Sequence, residues 1–197
     1  MTYALAFALL TFTFVSTITP GPNNLMLMAS GANFGYRRSL PHMAGVTIGF
    51  TTMVALIGLG LGEVFTRWPQ LHTVLKGLAL IYMLWLAWKI AHASAPKDKG
   101  PSARPMRFLT AVSFQWVNPK AWAMGLTAIA AYAPDATWQS ALWVAAAFGL
   151  VSFPLISLWT IAGTKLRLLL TNARRLATFN WTMAGLLVFS LIPILTH

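Results

Sequence analysis

From Met1 to Thr19 the chain carries no charged residue, and five more long apolar stretches follow it. A hydrocarbon core about 30 Å thick takes roughly 20 apolar residues per helix, so stretches of this length constrain the chain to helices that cross a bilayer. The first stretch lacks the basic start of a secretory leader, and no small-residue cleavage site follows it, so it reads as a mature helix. It meets Thr19-Pro20-Gly21-Pro22-Asn23-Asn24 and resumes from Leu25 to about Asn33. Further spans are expected at Pro41 to Gly62, Leu71 to Ile90, Phe108 to Tyr132, Trp138 to Ala162 and Ala177 to Leu195. Composition agrees: 57% of residues are hydrophobic and 9% charged, against about 25% charged in a soluble domain. There is no cysteine, which excludes disulfides and thiol-based sites.

Once the spans are placed, the charges sort by side. Loops after spans one, three and five hold Arg37, Arg38, Lys89, Lys97, Lys99, Arg104, Arg107, Lys165, Arg167, Arg174 and Arg175, whereas the opposite side holds Arg67 and Lys76. Such asymmetry in short loops marks the cytoplasmic side and puts both termini outside. It also answers the formal charge of +11, which in a soluble chain would suggest a nucleic-acid partner.

Residues 93–107 form a polar linker with three prolines, dividing the chain into halves 1–92 and 108–197. Three spans per half require the second half to enter the membrane in the opposite direction. A shift of 97 residues lays Ser16 on Ser113, Pro22 on Pro119 and Asn23 on Lys120. The fold expected is therefore an all-α polytopic membrane protein of six helices in two inverted three-helix repeats, each with its first helix broken at proline. Paired interruptions at corresponding positions point to a transporter's binding site.

The chemistry of the breaks follows from the backbone. Proline has no N–H, so Pro20 and Pro22 free the carbonyls of Ser16 and Ile18, and Pro119 frees that of Gln115. Free carbonyls need protein, water or ligand within a membrane. Beyond each break a half-helix begins with unpaired N–H groups and a positive dipole end. At 1.5 Å per residue the breaks lie about 22 and 15 Å into the membrane from their respective sides. Two such ends meeting near the midplane suit a small zwitterion, with helix N-termini and Lys120 holding its carboxylate and carbonyls its ammonium group. The candidate site is thus Pro20, Gly21, Pro22, Asn23, Asn24, Gln115, Asn118, Pro119 and Lys120. The four amides suit either capping of the half-helices or contact with cargo.

Lys120 is the sharpest single position. A lysine at a helix centre costs about 2.5–3.5 kcal/mol on insertion scales, while six large apolar residues of its span return roughly 1.8–3.6 kcal/mol together. A span so near break-even gains nothing by keeping the charge, which argues for a cavity-facing functional group.

Thr19-Pro20-Gly21-Pro22-Asn23 together with Asn118-Pro119-Lys120-Ala121-Trp122 resembles the LysE/RhtB family of bacterial amino-acid exporters. The length, the basic central linker and Gly45-x-x-x-Gly49 are similar too, so the likeness spans nearly the whole chain. It implies an inner-membrane secondary carrier, an antiporter that expels amino acids or close derivatives at the expense of the proton gradient. The implied partners are an amino-acid substrate, protons and the lipid bilayer, with a homodimer as an open option and no nucleic acid. The third span departs from many relatives: Gly77 is followed by Ala79, Tyr82 and Trp85. Where some relatives carry an ionisable group in span two, this chain has Thr51 and Thr52.

Other residues have plainer readings. Trp116 and Trp122 suit packing or a pocket wall, Trp68 and Trp138 an interfacial belt, and Gly45 with Gly49 close helix contact. Gly58-Leu-Gly60-Leu-Gly62 lacks the strand a phosphate loop needs. Pro154 with Gly149 is a candidate hinge in span five, and Pro193 a kink in span six. His42 reads as an ordinary surface histidine near the inner end of span two, and His72, His92 and His197 show no metal-ligand spacing. An enzyme would need a catalytic pair at the interface, which Glu63, Asp98 and Asp135 do not form. The competing reading is a channel or scaffold without coupled transport.

Overall fold

The computed structural model describes residues 2–68, 70–92, 104–170 and 172–192, and every regular element among them is helical. Helix α1 (Tyr3–Ile18) is capped by Thr2, whose hydroxyl accepts from Leu5 N. It ends before Pro20, and α2 (Pro22–Phe34) starts with proline at its first position, where the missing N–H costs nothing. Gly35, at φ 81°, turns the chain into α3 (Tyr36–Leu56), a left-handed conformation that favours glycine. The triple-glycine stretch is a π-turn over Ile57–Leu61 with Gly60 at φ 110°, leading into α4 (Gly62–Arg67). Then come α5 (Gln70–Ala91), α6 (Phe108–Val117), α7 (Pro119–Tyr132), α8 (Trp138–Leu166) and α9 (Ala173–Phe189). Side chains of Asn118, Thr137 and Asn172 accept from backbone N–H groups at the starts of α7, α8 and α9.

By length and hydropathy, three helical stretches among the described residues can cross a membrane: Tyr36–Val64, Thr73–Ala91 and Trp138–Leu166. Helices α1 and α2 qualify as a fourth crossing when taken together, bent by 55°. Six crossings were expected from sequence. The fourth expected span is divided at Asn118 into helices of 10 and 14 residues, each too short alone. The sixth has 17 helical residues, about 25 Å of rise, and its expected last residues 193–195 lie outside the described segments, as do Pro193, His197 and linker residues 93–103.

Helix α8 is the hub, packed by α1, α2 and α3; α3 also packs on α6, and α5 on α9. Small residues make these approaches. A Cβ on Gly163 would collide with the Met28 carbonyl, and one on Gly31 with the Thr160 carbonyl, so α2 and α8 cross backbone to backbone. Gly45 and Gly49 serve the same end between α3 and α6, where a Cβ on Gly49 would lie 2.8 Å from Val112 Cα. Pro154 does not interrupt α8.

Three buried apolar clusters result. One gathers Leu9, Phe50, Met53, Val144 and Phe148; a second Leu25, Met26, Met83, Phe114 and Leu187; a third Leu27, Met43, Val46, Ala111 and Ile156. Meanwhile Phe7, Leu10 and Phe14 on α1, Leu78, Ile81 and Trp88 on α5, and Leu150 and Leu158 on α8 are exposed. In water this apolar surface would drive association; hydrocarbon solvates it. His42 corrects the surface expectation: it is 2% exposed, because its helix is flanked there by α6 and α8 rather than by solvent.

Candidate functional site

The break between α1 and α2 is tied directly to the one between α6 and α7. Lys120, in the first turn of α7, reaches back with Nζ to Thr19 O at 2.8 Å, Thr19 Oγ1 at 2.9 Å and Pro20 O at 3.1 Å. An ammonium group has three N–H donors, so this set saturates it. Thr19 and Pro20 are exposed, and the ammonium group covers two carbonyls that hydrocarbon could not satisfy. A second tie is reciprocal: Asn23 Nδ2 donates to Gln115 Oε1 at 2.8 Å, and Gln115 Nε2 donates to Asn23 Oδ1 at 3.2 Å.

The carbonyls freed by proline have partners within the chain. Thr19 Oγ1 donates to Ser16 O at 2.9 Å, Trp159 Nε1 to Ile18 O at 3.2 Å, and Asn118 N to Gln115 O at 3.2 Å. Each freed carbonyl thus has one partner within the chain, which offsets the cost of an unpaired acceptor, and keeps a second lone pair. Asn24 gives Nδ2 to Thr17 O and Thr19 O, both at 2.8 Å. Asn118 Oδ1 caps Lys120 N at 3.2 Å. No side chain caps the start of α2.

A cavity of about 40 Å³ lies beside the breaks, room for about three waters. Its lining combines the polar Ser16, Thr17, Asn23, Asn24, Asn118, Lys120 and Ser152 with Gly21 and the apolar Val46, Phe50, Ala121, Met124 and Ile156. Phe50 belongs to the first apolar cluster, Val46 and Ile156 to the third, so packed side chains flank the cavity on two sides. Phe50 meets Phe148 edge to face with ring centroids 5.0 Å apart, and Phe148 meets Phe12 at 6.3 Å.

Of the residues singled out from sequence, Gly21, Asn23, Asn24, Asn118 and Lys120 line the cavity. Pro20, Pro22, Gln115 and Pro119 do not; Pro22 and Pro119 stand at the helix starts, Pro20 lies between α1 and α2, and Gln115, fully buried, positions Asn23. Trp122 donates to Trp116 O at 2.8 Å, and neither indole lines the cavity. Sequence reasoning missed Thr17, Val46, Phe50, Met124, Ser152 and Ile156 as wall residues. Nothing local marks them, since they come from unbroken parts of four helices that meet only in the folded chain. Among the described residues no group of three or more His, Cys, Asp or Glu could hold a metal.

Comparison with known proteins agrees with this picture at the level of family. The family described as LysE type translocator matches residues 14–192. The chain is 34% identical over 203 residues to a cysteine/O-acetylserine efflux protein of Klebsiella pneumoniae, covering all of both chains. It is also 34% identical over 145 residues to a protein of the same description from Escherichia coli strain K12, covering 73% of each. No solved structure matches.

Proposed function

The chain belongs to the LysE type translocator family, a family of amino-acid efflux transporters and not of enzymes, and on that premise we propose that it exports small neutral amino acids or close derivatives through the cavity between its two helix breaks. In this reading the chain crosses six times in two inverted halves with both termini outside, the cavity lies near the membrane midplane and the basic loops lie in the cytoplasm. A Cβ added at Gly35 would lie 3.8 Å from the Arg167 guanidinium, which puts the turn after α2 and the end of α8 close together and supports a shared basic end.

The observation that carries the reading is the three-fold attachment of Lys120 to Thr19 and Pro20 at the edge of a cavity. A carboxylate entering beside Lys120 competes for its N–H groups, and it brings a full opposite charge that the neutral oxygens of Thr19 and Pro20 do not. The uncapped N–H groups at the start of α2 add a second attraction for the same carboxylate. Transfer of Lys120 from backbone to cargo loosens the tie between the halves, and one half then rocks against the other to open the far side. Among the described residues the charge on the cavity wall comes from Lys120 and no acidic side chain lines it, so a cationic cargo side chain finds no counter-charge there. A space for about three waters is smaller than any amino acid, so cargo entry requires the helices to part. Cysteine and O-acetylserine, named for the relatives, have uncharged side chains and so meet the charge demand. Protons are the coupling ion in this reading.

Counterflow in proteoliposomes tests it. Vesicles preloaded with O-acetyl-L-serine or L-cysteine should accumulate the labelled compound, an imposed proton gradient should accelerate the flux, and Lys120→Met should abolish it. A well-folded wild-type protein that exchanges neither compound overturns the reading.

A further inference from the structure

Resting on that transport reading, we infer that the hydroxyls of Thr17 and Ser152 read the cargo's side chain, selecting a short neutral chain bearing oxygen or sulfur over its hydrocarbon isostere. Both residues line the cavity, Thr17 from α1 and Ser152 from α8. They are 8% and 4% exposed, and neither hydroxyl has a hydrogen-bond partner among the described residues.

Five helical Ser and Thr hydroxyls, those of Thr13, Thr17, Thr47, Thr51 and Ser152, are buried without a partner among the described residues, and of these five residues Thr17 and Ser152 line the cavity. Several other helical hydroxyls turn back to the carbonyl four residues earlier: Thr11 to Phe7 O at 2.9 Å, Ser157 to Phe153 O at 2.8 Å, Thr160 to Ile156 O at 3.2 Å, Thr164 to Thr160 O at 2.9 Å. Thr17 and Ser152 make no such local bond, and theirs are the two unpartnered hydroxyls in the lining of the cavity. A buried hydroxyl without a partner is costly, so a group that enters the cavity and bonds it gains what the protein leaves unmade.

The other polar groups of the wall are already engaged. Ser16 donates to Thr13 O at 3.3 Å, Asn24 holds the end of α1, Asn23 holds Gln115, and Asn118 caps α7. Lys120 and the start of α2 serve the carboxylate in the transport reading. The two hydroxyls are left for the remaining end of the cargo, framed by the apolar side chains of Val46, Phe50, Met124 and Ile156. A hydroxyl both donates and accepts, so it serves a thiol, an alcohol or an ester oxygen alike. A hydrocarbon side chain of equal length fits the same space and leaves both hydroxyls unpaired, which is the arrangement by which buried polar groups discriminate.

The test measures counterflow for two pairs of matched length, L-cysteine against L-2-aminobutyrate and O-acetyl-L-serine against L-norleucine. The wild-type protein should favour the first member of each pair. Thr17→Val and Ser152→Ala should each lower that preference about fivefold, with the hydrocarbon member carried as well as before or better, and Thr17→Ser should restore it. Ratios unmoved in both variants, or both members of a pair falling together, overturn the inference. A wild-type protein inactive toward all four compounds overturns the transport reading instead, so the two failures are distinguishable.

Discussion

The reciprocal amide pair between Asn23 and Gln115 offers a quantitative test of whether the two breaks are held against each other. Gln115→Leu keeps volume while removing both cross-break bonds, at 2.8 and 3.2 Å, and a third from Gln115 Nε2 to Ala111 O at 2.9 Å. At about 1 kcal/mol per bond the loss is about 3 kcal/mol, partly offset by apolar gain at a fully buried position. Asn23→Leu removes the same two cross-break bonds from the other side, about 2 kcal/mol, and strands the Gln115 amide in the interior. In the double variant those two bonds are counted once, so the coupling energy should be about 2 kcal/mol, a factor of about 30. The assay is equilibrium unfolding in mixed detergent micelles, followed by the fluorescence of the nine tryptophans. Each kcal/mol corresponds to roughly 2–4 °C in midpoint for a chain of this size, so Gln115→Leu should lower the midpoint by several degrees. Single effects that add to the double within about 0.5 kcal/mol would show that the pair is not a bond between the breaks, and the argument for a shared cavity would lose its second tie.

Two further outcomes are expected elsewhere in the molecule. Gly163→Leu should prevent folding or lower stability by more than about 1–3 kcal/mol, because the added side chain meets the Met28 carbonyl rather than a side chain that can yield; Gly185→Leu, with no atom within 4 Å of its Cβ position, should leave size-exclusion profile and unfolding midpoint unchanged. A reporter active only outside the cytoplasm, fused after His197, should be active, and one fused in the 93–107 linker should be silent; the reverse pattern would invert the orientation assigned from the basic loops.

Much of the site's skeleton is legible in the chain as written, because prolines act locally. Pro20, Pro22 and Pro119 lack the N–H that an interior helical turn requires, so a boundary near each follows from the residue itself, and α2 and α7 do begin at Pro22 and Pro119. The apolar stretches likewise declare a bilayer, since hydropathy is additive along a segment. Glycine spacing told of close packing at Gly45 and Gly49, yet the tighter crossing of Gly31 with Gly163 passed unnoticed, because each glycine is isolated and the contact joins residues far apart in the chain.

Partnership was beyond the reach of the linear chain. The amides and Lys120 were recognisable as polar groups in an apolar setting, but which carbonyl each would meet depends on how α1, α2, α6 and α7 come together. Lys120 spans 101 residues to reach Thr19, and a hydrogen bond cares for ångströms and angles, not for spacing along a chain. The same holds for Thr17 and Ser152, ordinary helical residues until the packing of α8 against α1 and α3 leaves their hydroxyls at a cavity without a bond to make. Local backbone chemistry set where helices stop; long-range packing alone chose what their exposed ends and buried hydroxyls would face.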